Sequence, residues 1–212
     1  MRARSGVPRL FLAGAGRIAG LRVSVAGEPR AGHVLFVANH LSWLDILALA
    51  GRTGTAFVAK ADMLDWPVLG WLASLNHSVF VARDARLDVE RQAGAVRDAL
   101  ATGRPLTLFP EGTTGGGDAL LPFRSSLLAA MVPPPAGVAI QPVAIDYGAL
   151  AGTVAWTEEE PVGANALRLM GRPGRIDVAL RFLAPLDPRD GADRKRAAAA
   201  ARDAIAGVLA TT

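Results

Sequence analysis

The stretch that decides the fold is VLFVANHLSWLD, residues 34–45. Its first five residues are all apolar, which is typical of a strand that is covered on both faces of a sheet. A helical pattern over residues 46–50 follows, so His40 is predicted at the end of a strand and Asp45 in the first turn of the next helix. A strand that leads directly into a helix indicates a layered α/β fold.

The same alternation of short apolar runs and helical patterns continues through all 212 residues, with no internal repeat. We expect a single α/β domain over residues 31–212, with a central, largely parallel or mixed sheet flanked by helices. A basic amphipathic segment, residues 1–30, precedes it. The predicted strands are residues 21–26, 33–38, 55–59, 78–82, 105–109, 138–144 and 176–182, and the predicted helices include residues 87–101, 123–131 and 194–209.

Composition excludes several classes of protein. The chain has no cysteine, which excludes a disulfide framework, a thiolate zinc site and a cysteine nucleophile. Lys60 and Lys195 are the only lysines, and neither completes a phosphate-binding P-loop motif. The two histidines other than His40 have no ligand partners at recognisable spacing, so no metal site is predicted.

The positive charge is concentrated at the N-terminus, where residues 1–30 contain six arginines and a single acid, Glu28. Apolar residues interleave with these arginines, which favours an anionic membrane surface over nucleic acid as the partner. An ordinary solvated helix is the alternative. The longest uncharged stretch, residues 125–145, is interrupted by three consecutive prolines, so a membrane-spanning helix is not expected. These features predict a cytoplasmic protein that is peripherally associated with the inner membrane.

The pair His40 and Asp45 is the first candidate for chemistry. Across a strand-to-helix turn, a carboxylate five residues further on can accept a hydrogen bond from one imidazole nitrogen and leave the other as a general base. The alternative is a histidine that only caps the helix, with Asp45 as an acid facing the helix dipole.

Two further groups follow other predicted strands. FPEGTTGGG, residues 109–117, combines an acid, hydroxyls and glycines that suit an anionic or hydroxylated ligand, although a flexible turn would have the same composition. Arg83 follows the apolar run 79–82 and can bind phosphate, or it can form a surface ion pair. In open α/β sheets ligands bind at the carboxyl ends of strands, where His40, Arg83 and Glu111 all fall.

These motifs resemble the glycerolphosphate and lysophospholipid acyltransferases over about residues 30–147. The N-H-x-x-x-x-D block of that family is matched by residues 39–45 and its F-P-E-G-T block by residues 109–113. An apolar strand ending in arginine is similar to residues 79–83, and an apolar segment around proline is similar to residues 140–145. Four blocks in the same order make the resemblance specific.

The resemblance implies that His40, oriented by Asp45, removes a proton from the hydroxyl of a lysolipid as this hydroxyl attacks the thioester of acyl-CoA or acyl carrier protein. It implies no cofactor beyond this donor, and an acceptor of the 1-acylglycerol-3-phosphate type. The residues that it assigns to the acceptor head group are Arg83, Glu111, Gly112, Thr113 and Thr114.

One departure leaves the acceptor open. Many family members carry arginine where this chain has Thr114, and the loss of a guanidinium weakens the case for a phosphomonoester. A lyso-ornithine lipid or another lysolipid is therefore an alternative acceptor, and a non-catalytic peripheral lipid-binding protein is the alternative of another class. Trp66 and Trp71 suit contact with the membrane or the acyl chain, or a buried core helix.

Overall fold

The computed structural model describes residues 6–60, 79–81, 89–157 and 159–211, and within these ranges seven strands form one sheet between two layers of helices. This confirms the predicted α/β class. The strands are β1 (Leu21–Ala26), β2 (Val34–Ala38), β3 (Ala56–Lys60), β4 (Val79–Val81), β5 (Leu106–Leu108), β6 (Ala139–Asp146) and β7 (Ile176–Phe182). The helices are α1 (Gly6–Ile18), α2 (Leu44–Thr53), α3 (Val89–Ala101), α4 (Ala151–Val154), α5 (Val162–Met170), α6 (Pro188–Gly191) and α7 (Arg194–Leu209).

The sheet is mixed. Its strand order is β1-β7-β6-β2-β5-β3-β4, and every neighbouring pair is parallel except β6 and β7. Strands β1 and β7 therefore run opposite to the other five. The carboxyl ends of β6, β2 and β5 lie side by side at one edge of the sheet, which brings the loops after these strands together.

All seven predicted strands are present, with ends that differ by at most about two residues. The predicted helix over residues 123–131 is wrong, because only Ser125–Leu128 forms a short 3-10 turn. The physical reason is a tertiary hydrogen bond: the Arg124 N–H donates to the Pro110 carbonyl at 2.8 Å and holds Arg124 in an extended conformation. Helices α4, α5 and α6 were not predicted.

The core has one layer on each face of the sheet. Strand β2 is buried along its whole length, with Phe36 facing the layer of α1 and α2, and Leu35 and Val37 facing the layer of α3 and α7. Helices α1 and α2 cross closely at Gly51, where an added Cβ would lie 2.9 Å from the backbone of Ala13. The proposed division at residue 30 falls in the loop between β1 and β2, and both α1 and β1 pack on the rest of the fold.

Candidate active site

The hydrogen bond predicted between His40 and Asp45 is present. Nδ1 of His40 lies 2.8 Å from Oδ2 of Asp45, and this same oxygen accepts the backbone N–H groups of Leu41 at 2.7 Å and Ser42 at 2.9 Å. Because the carboxylate oxygen serves as the acceptor, the neutral ring carries its proton on Nδ1. Nε2 is then the ring nitrogen that can accept a proton, and the His40 side chain is 16% exposed.

The second oxygen of Asp45 is bound by Tyr147, a residue that no sequence motif indicated. The Tyr147 hydroxyl donates to Oδ1 at 2.7 Å, and both side chains are buried. Burial, and then the adjacent charge of Asp45, raise the pKa of Tyr147 well above its ordinary value, so the phenol stays a neutral donor. The available signals were that Tyr147 is the single tyrosine of the chain and that it comes three residues after the predicted strand 138–144.

The plane of the His40 ring is fixed by aromatic stacking. The ring lies on Phe109 with a centroid separation of 4.0 Å and an interplanar angle of 9°. Phe109 in turn lies on Phe57, 5.7 Å away at 14°. Phe109 begins the loop after β5, so the neighbouring strands β2 and β5 together set the orientation of the imidazole.

Asn39 connects the histidine loop, residues 39–42 between β2 and α2, to the neighbouring strand β6. Its side-chain amide donates to the carbonyl of Ile145 at 2.9 Å and accepts the Ile145 N–H at 2.7 Å. Asn39 and Ile145 are both buried. This pair of hydrogen bonds continues the contact between β2 and β6 and fixes the position at which His40 leaves the sheet.

Glu111 supports the backbone of His40. Its Oε1 accepts the His40 N–H at 2.8 Å, and the residue is 3% exposed. Burial is the largest cause that raises the pKa of Glu111 from 4.5 to about 7; the charge of Asp45 also raises it, while hydrogen bonds from the His40 and Leu121 backbone oppose the rise. The resemblance assigned Glu111 to the acceptor head group, whereas the structure places its carboxyl inside the protein, beneath the histidine loop.

The rest of the glycine-rich loop, residues 109–117 after β5, packs around the backbone of His40. Gly112 has a φ of 77°, a left-handed conformation that favours glycine, and the Gly115 N–H donates to the His40 carbonyl at 2.8 Å. The Thr114 hydroxyl donates to the carbonyl of Trp156. Its one proton is thus used within the protein, and the role of Thr114 in holding the acceptor stays a prediction. Thr113 is partly buried in this loop.

Three predicted site residues, Arg83, Trp66 and Trp71, lie outside the described residues. In the ranges that the structure describes, no group of three or more His, Asp or Glu side chains could hold a metal ion. No helix in those ranges is both long and apolar enough to cross a membrane. The absence of a cofactor stays a prediction.

Comparisons with known proteins agree on one family. The acyltransferase family profile matches residues 22–146, more than half of the chain. A lyso-ornithine lipid O-acyltransferase from Rhodobacter capsulatus is 36% identical over 89% of this chain and 70% of its own length. A 1-acyl-sn-glycerol-3-phosphate acyltransferase from Neisseria gonorrhoeae is 37% identical over 63% of this chain and 53% of its own.

Among solved structures, the 1-acyl-sn-glycerophosphate acyltransferase PlsC from Thermotoga maritima has a similar fold. The TM-score is 0.65 at 22% sequence identity, over 100% of this chain and 83% of that chain. This likeness supports the layered arrangement of sheet and helices described above.

Proposed function

The chain belongs to the acyltransferase family, and from that premise we propose that it transfers a fatty acyl group from a thioester donor to the free hydroxyl of a lysolipid, with His40 as the general base. The observation that carries this proposal is the set of hydrogen bonds around Asp45, which leaves Nε2 as the proton acceptor of His40. Family membership favours this enzyme over the non-catalytic lipid-binding alternative.

The reaction needs one group that can take and return a proton. Nε2 of His40 accepts the proton of the acceptor hydroxyl as its oxygen attacks the thioester carbonyl, and the tetrahedral intermediate then expels the thiol. The imidazolium returns its proton to the departing sulfur. Asp45 holds the ring by Nδ1 and faces the positive charge that develops on it, and general-base catalysis of this kind contributes roughly a hundred- to ten-thousandfold.

The supporting residues act on the geometry of this base. Asp45 accepts four hydrogen bonds, from the His40 ring, the Leu41 and Ser42 backbone and the Tyr147 hydroxyl, so its carboxylate cannot rotate freely. We assign Tyr147 and Glu111 as positioning residues, because each acts through Asp45 or the His40 backbone. A fixed base is effective because the acceptor and donor must meet in a reactive arrangement.

For the acceptor, we propose a lyso-ornithine lipid. The relatives with this name match most of the chain at 33 to 37% identity, and Thr114 stands where a phosphate-binding arginine would be expected. A 1-acylglycerol-3-phosphate is the second candidate, supported by the Neisseria relatives. We propose acyl-CoA or acyl carrier protein as donor, and peripheral attachment to the cytoplasmic face of the inner membrane.

The test is His40→Ala in the full chain, assayed with both donors against lyso-ornithine lipid and 1-acylglycerol-3-phosphate. We expect kcat to fall roughly a hundred- to ten-thousandfold. The matched control is His33→Asn, since His33 lies at the opposite end of β2 with a φ of 43° that asparagine tolerates. Acyl transfer at the wild-type rate by His40→Ala would refute the mechanism, and the preferred acceptor of the wild type decides between the two lysolipids.

A further inference from the structure

Helix α5 exposes uncharged residues at positions 163, 167 and 170, beside Arg168, whose guanidinium pairs with Glu160. Leu167 is 77% exposed and Met170 57% exposed, and Gly163 and Ala164, one turn earlier, are also exposed. The opposite side of the helix carries Leu169, which is 2% exposed and belongs to the core. Such a helix has two apolar faces, and the fold covers only one of them.

This helix lies at the edge of the sheet that holds the candidate active site. The Trp43 indole N–H, just after the histidine loop, donates to the side chain of Asn165 at 3.0 Å. The backbone N–H of Trp156, which lies shortly before α5, donates to the carbonyl of Leu41 at 2.8 Å. Helix α5 therefore stands beside the residues that orient His40.

The first residues of β1 and β7 reach the same edge. Asp146 at the end of β6 pairs with Ala179, so the antiparallel β7 begins beyond the end of β6, and Leu21 of β1 pairs with Ile176 of β7. Ile18, at the end of α1, precedes β1 and is 82% exposed. Strands β1 and β2 are separated by β7 and β6, a distance of about 14 Å at the usual strand spacing.

Arginines lie close in sequence to these exposed apolar side chains, because Arg17 precedes Ile18 and Arg172 follows Met170 by two residues. Among the described residues, Arg17, Arg172 and Arg175 have no carboxylate partner, while Arg168 and Arg22 pair with Glu160 and Asp177. The exposed acids described in the same segments are Glu159 and Asp177, and Asp177 lies 3.9 Å from Arg22. Arg17 and Arg175 also line a groove of about 570 Å³ between α1, α2 and β1, together with Arg9, Arg22 and Arg52, and no acid is among the described residues that line it. Arginine can bind phosphate groups in a bidentate manner.

We propose that the exposed face of α5, together with Ile18, docks this edge of the sheet on an anionic bilayer, with Arg17, Arg172 and Arg175 at the level of the phosphates. An acidic protein would complement the arginines but would leave Ile18, Leu167 and Met170 without a complementary surface, whereas a bilayer satisfies both. The acceptor then enters the site directly from the membrane. This route of entry rests on the proposed function, whereas the docking itself does not.

The test measures flotation of the full chain with vesicles of phosphatidylcholine alone and of phosphatidylcholine with phosphatidylglycerol, without substrates. The variant Leu167→Glu/Met170→Glu is compared with Ala199→Glu/Ala210→Glu, which adds the same charge at exposed positions of α7 and its end. We expect the α5 variant to bind anionic vesicles at least about tenfold more weakly than the wild type does. The control variant should bind like the wild type. Equal binding by the α5 variant overturns the proposal.

Two further measurements separate this proposal from other readings. Arg17→Gln/Arg175→Gln should weaken binding to anionic vesicles and leave binding to phosphatidylcholine unchanged; no change on either overturns the proposed role of these arginines. If the α5 variant instead converts a dimer to a monomer by light scattering, with vesicle binding intact, the face is a contact between two copies and the membrane proposal is wrong.

The activity assay distinguishes failure of the docking from failure of the proposed function. The α5 variant should acylate a short-chain lysolipid dispersed as monomers at the wild-type rate and lose activity on acceptor embedded in vesicles. If the α5 variant acylates both acceptors at the wild-type rate, entry of the acceptor from the membrane is contradicted. Absence of acyl transfer by the wild type refutes the proposed function and leaves the flotation result valid.

Discussion

Replacing Glu111 with glutamine should make the chain more stable at neutral and alkaline pH. The carboxyl is buried, and its pKa in the folded protein is about 7, above the ordinary value of 4.5. Glutamine keeps an oxygen that can accept the His40 N–H but carries no charge. The substitution therefore removes the cost of ionising a buried acid and keeps the hydrogen bond.

The sign and size follow from proton linkage. Between pH 4.5 and about 7 the folded state retains a proton on Glu111 that the unfolded state has lost, so the free energy of unfolding falls as the pH rises. At about 1.4 kcal/mol per pKa unit, the wild type loses roughly 3 kcal/mol across this window. The advantage of Glu111→Gln over the wild type should grow by this amount and stay constant above about pH 8.

Urea denaturation at four pH values between 4.5 and 8.5 measures the difference directly, because the other titrating groups are shared by both proteins and cancel. Asp118→Asn, an exposed acid on the loop after Gly117, is the matched control and should show no such trend. A difference between wild type and Glu111→Gln that does not change with pH would refute the argument that burial raises the pKa of Glu111.

Three further substitutions test the packing around the histidine loop. Tyr147→Phe removes the donor to Oδ1 of Asp45, and kcat should fall about tenfold with both KM values unchanged; a change confined to KM would contradict a positioning role. Asn39→Ala leaves the buried N–H and carbonyl of Ile145 unpaired, so chemical denaturation should show that the free energy of unfolding falls by about 2–4 kcal/mol. A fall of under 1 kcal/mol would contradict a stabilising role of the two hydrogen bonds between Asn39 and Ile145. Gly51→Ala places a Cβ 2.9 Å from the α1 backbone and should lower the unfolding free energy by about 1–3 kcal/mol; an unchanged or raised Tm would contradict the close crossing.

The parts of the fold and site that depend on nearby residues could be predicted from the sequence. The strands were visible as apolar runs, and the bond between His40 and Asp45 spans five positions within one turn. The contacts of Tyr147 and Glu111 join residues 102 and 71 positions apart. They depend on which strands are neighbours in the sheet, and no local pattern contains that order.

Two of the differences between the predicted and the observed helices have physical causes of the same kind. Residues 123–131 are sufficiently apolar for a helix, but the bond from Arg124 to Pro110 holds the segment against the glycine-rich loop. Helix α5 contains glycine and asparagine, which lower its intrinsic helix propensity, and it is stabilised by tertiary bonds through Asn165. In both segments tertiary contacts outweigh local preference.

The pairing of β1 with β7 has a consequence for biosynthesis. In the described sheet β1 has β7 as its one strand neighbour, and the paired residues are about 155 positions apart in the chain. While the polypeptide is still emerging from the ribosome, β1 has no strand partner until residues 176–182 have been made. Until then α1 also lacks part of the core layer on which it packs. Such long-range closure slows folding and leaves apolar surface uncovered during translation. A nascent chain arrested before residue 176 should therefore be a good substrate for chaperones, whereas one released after β7 can close its sheet.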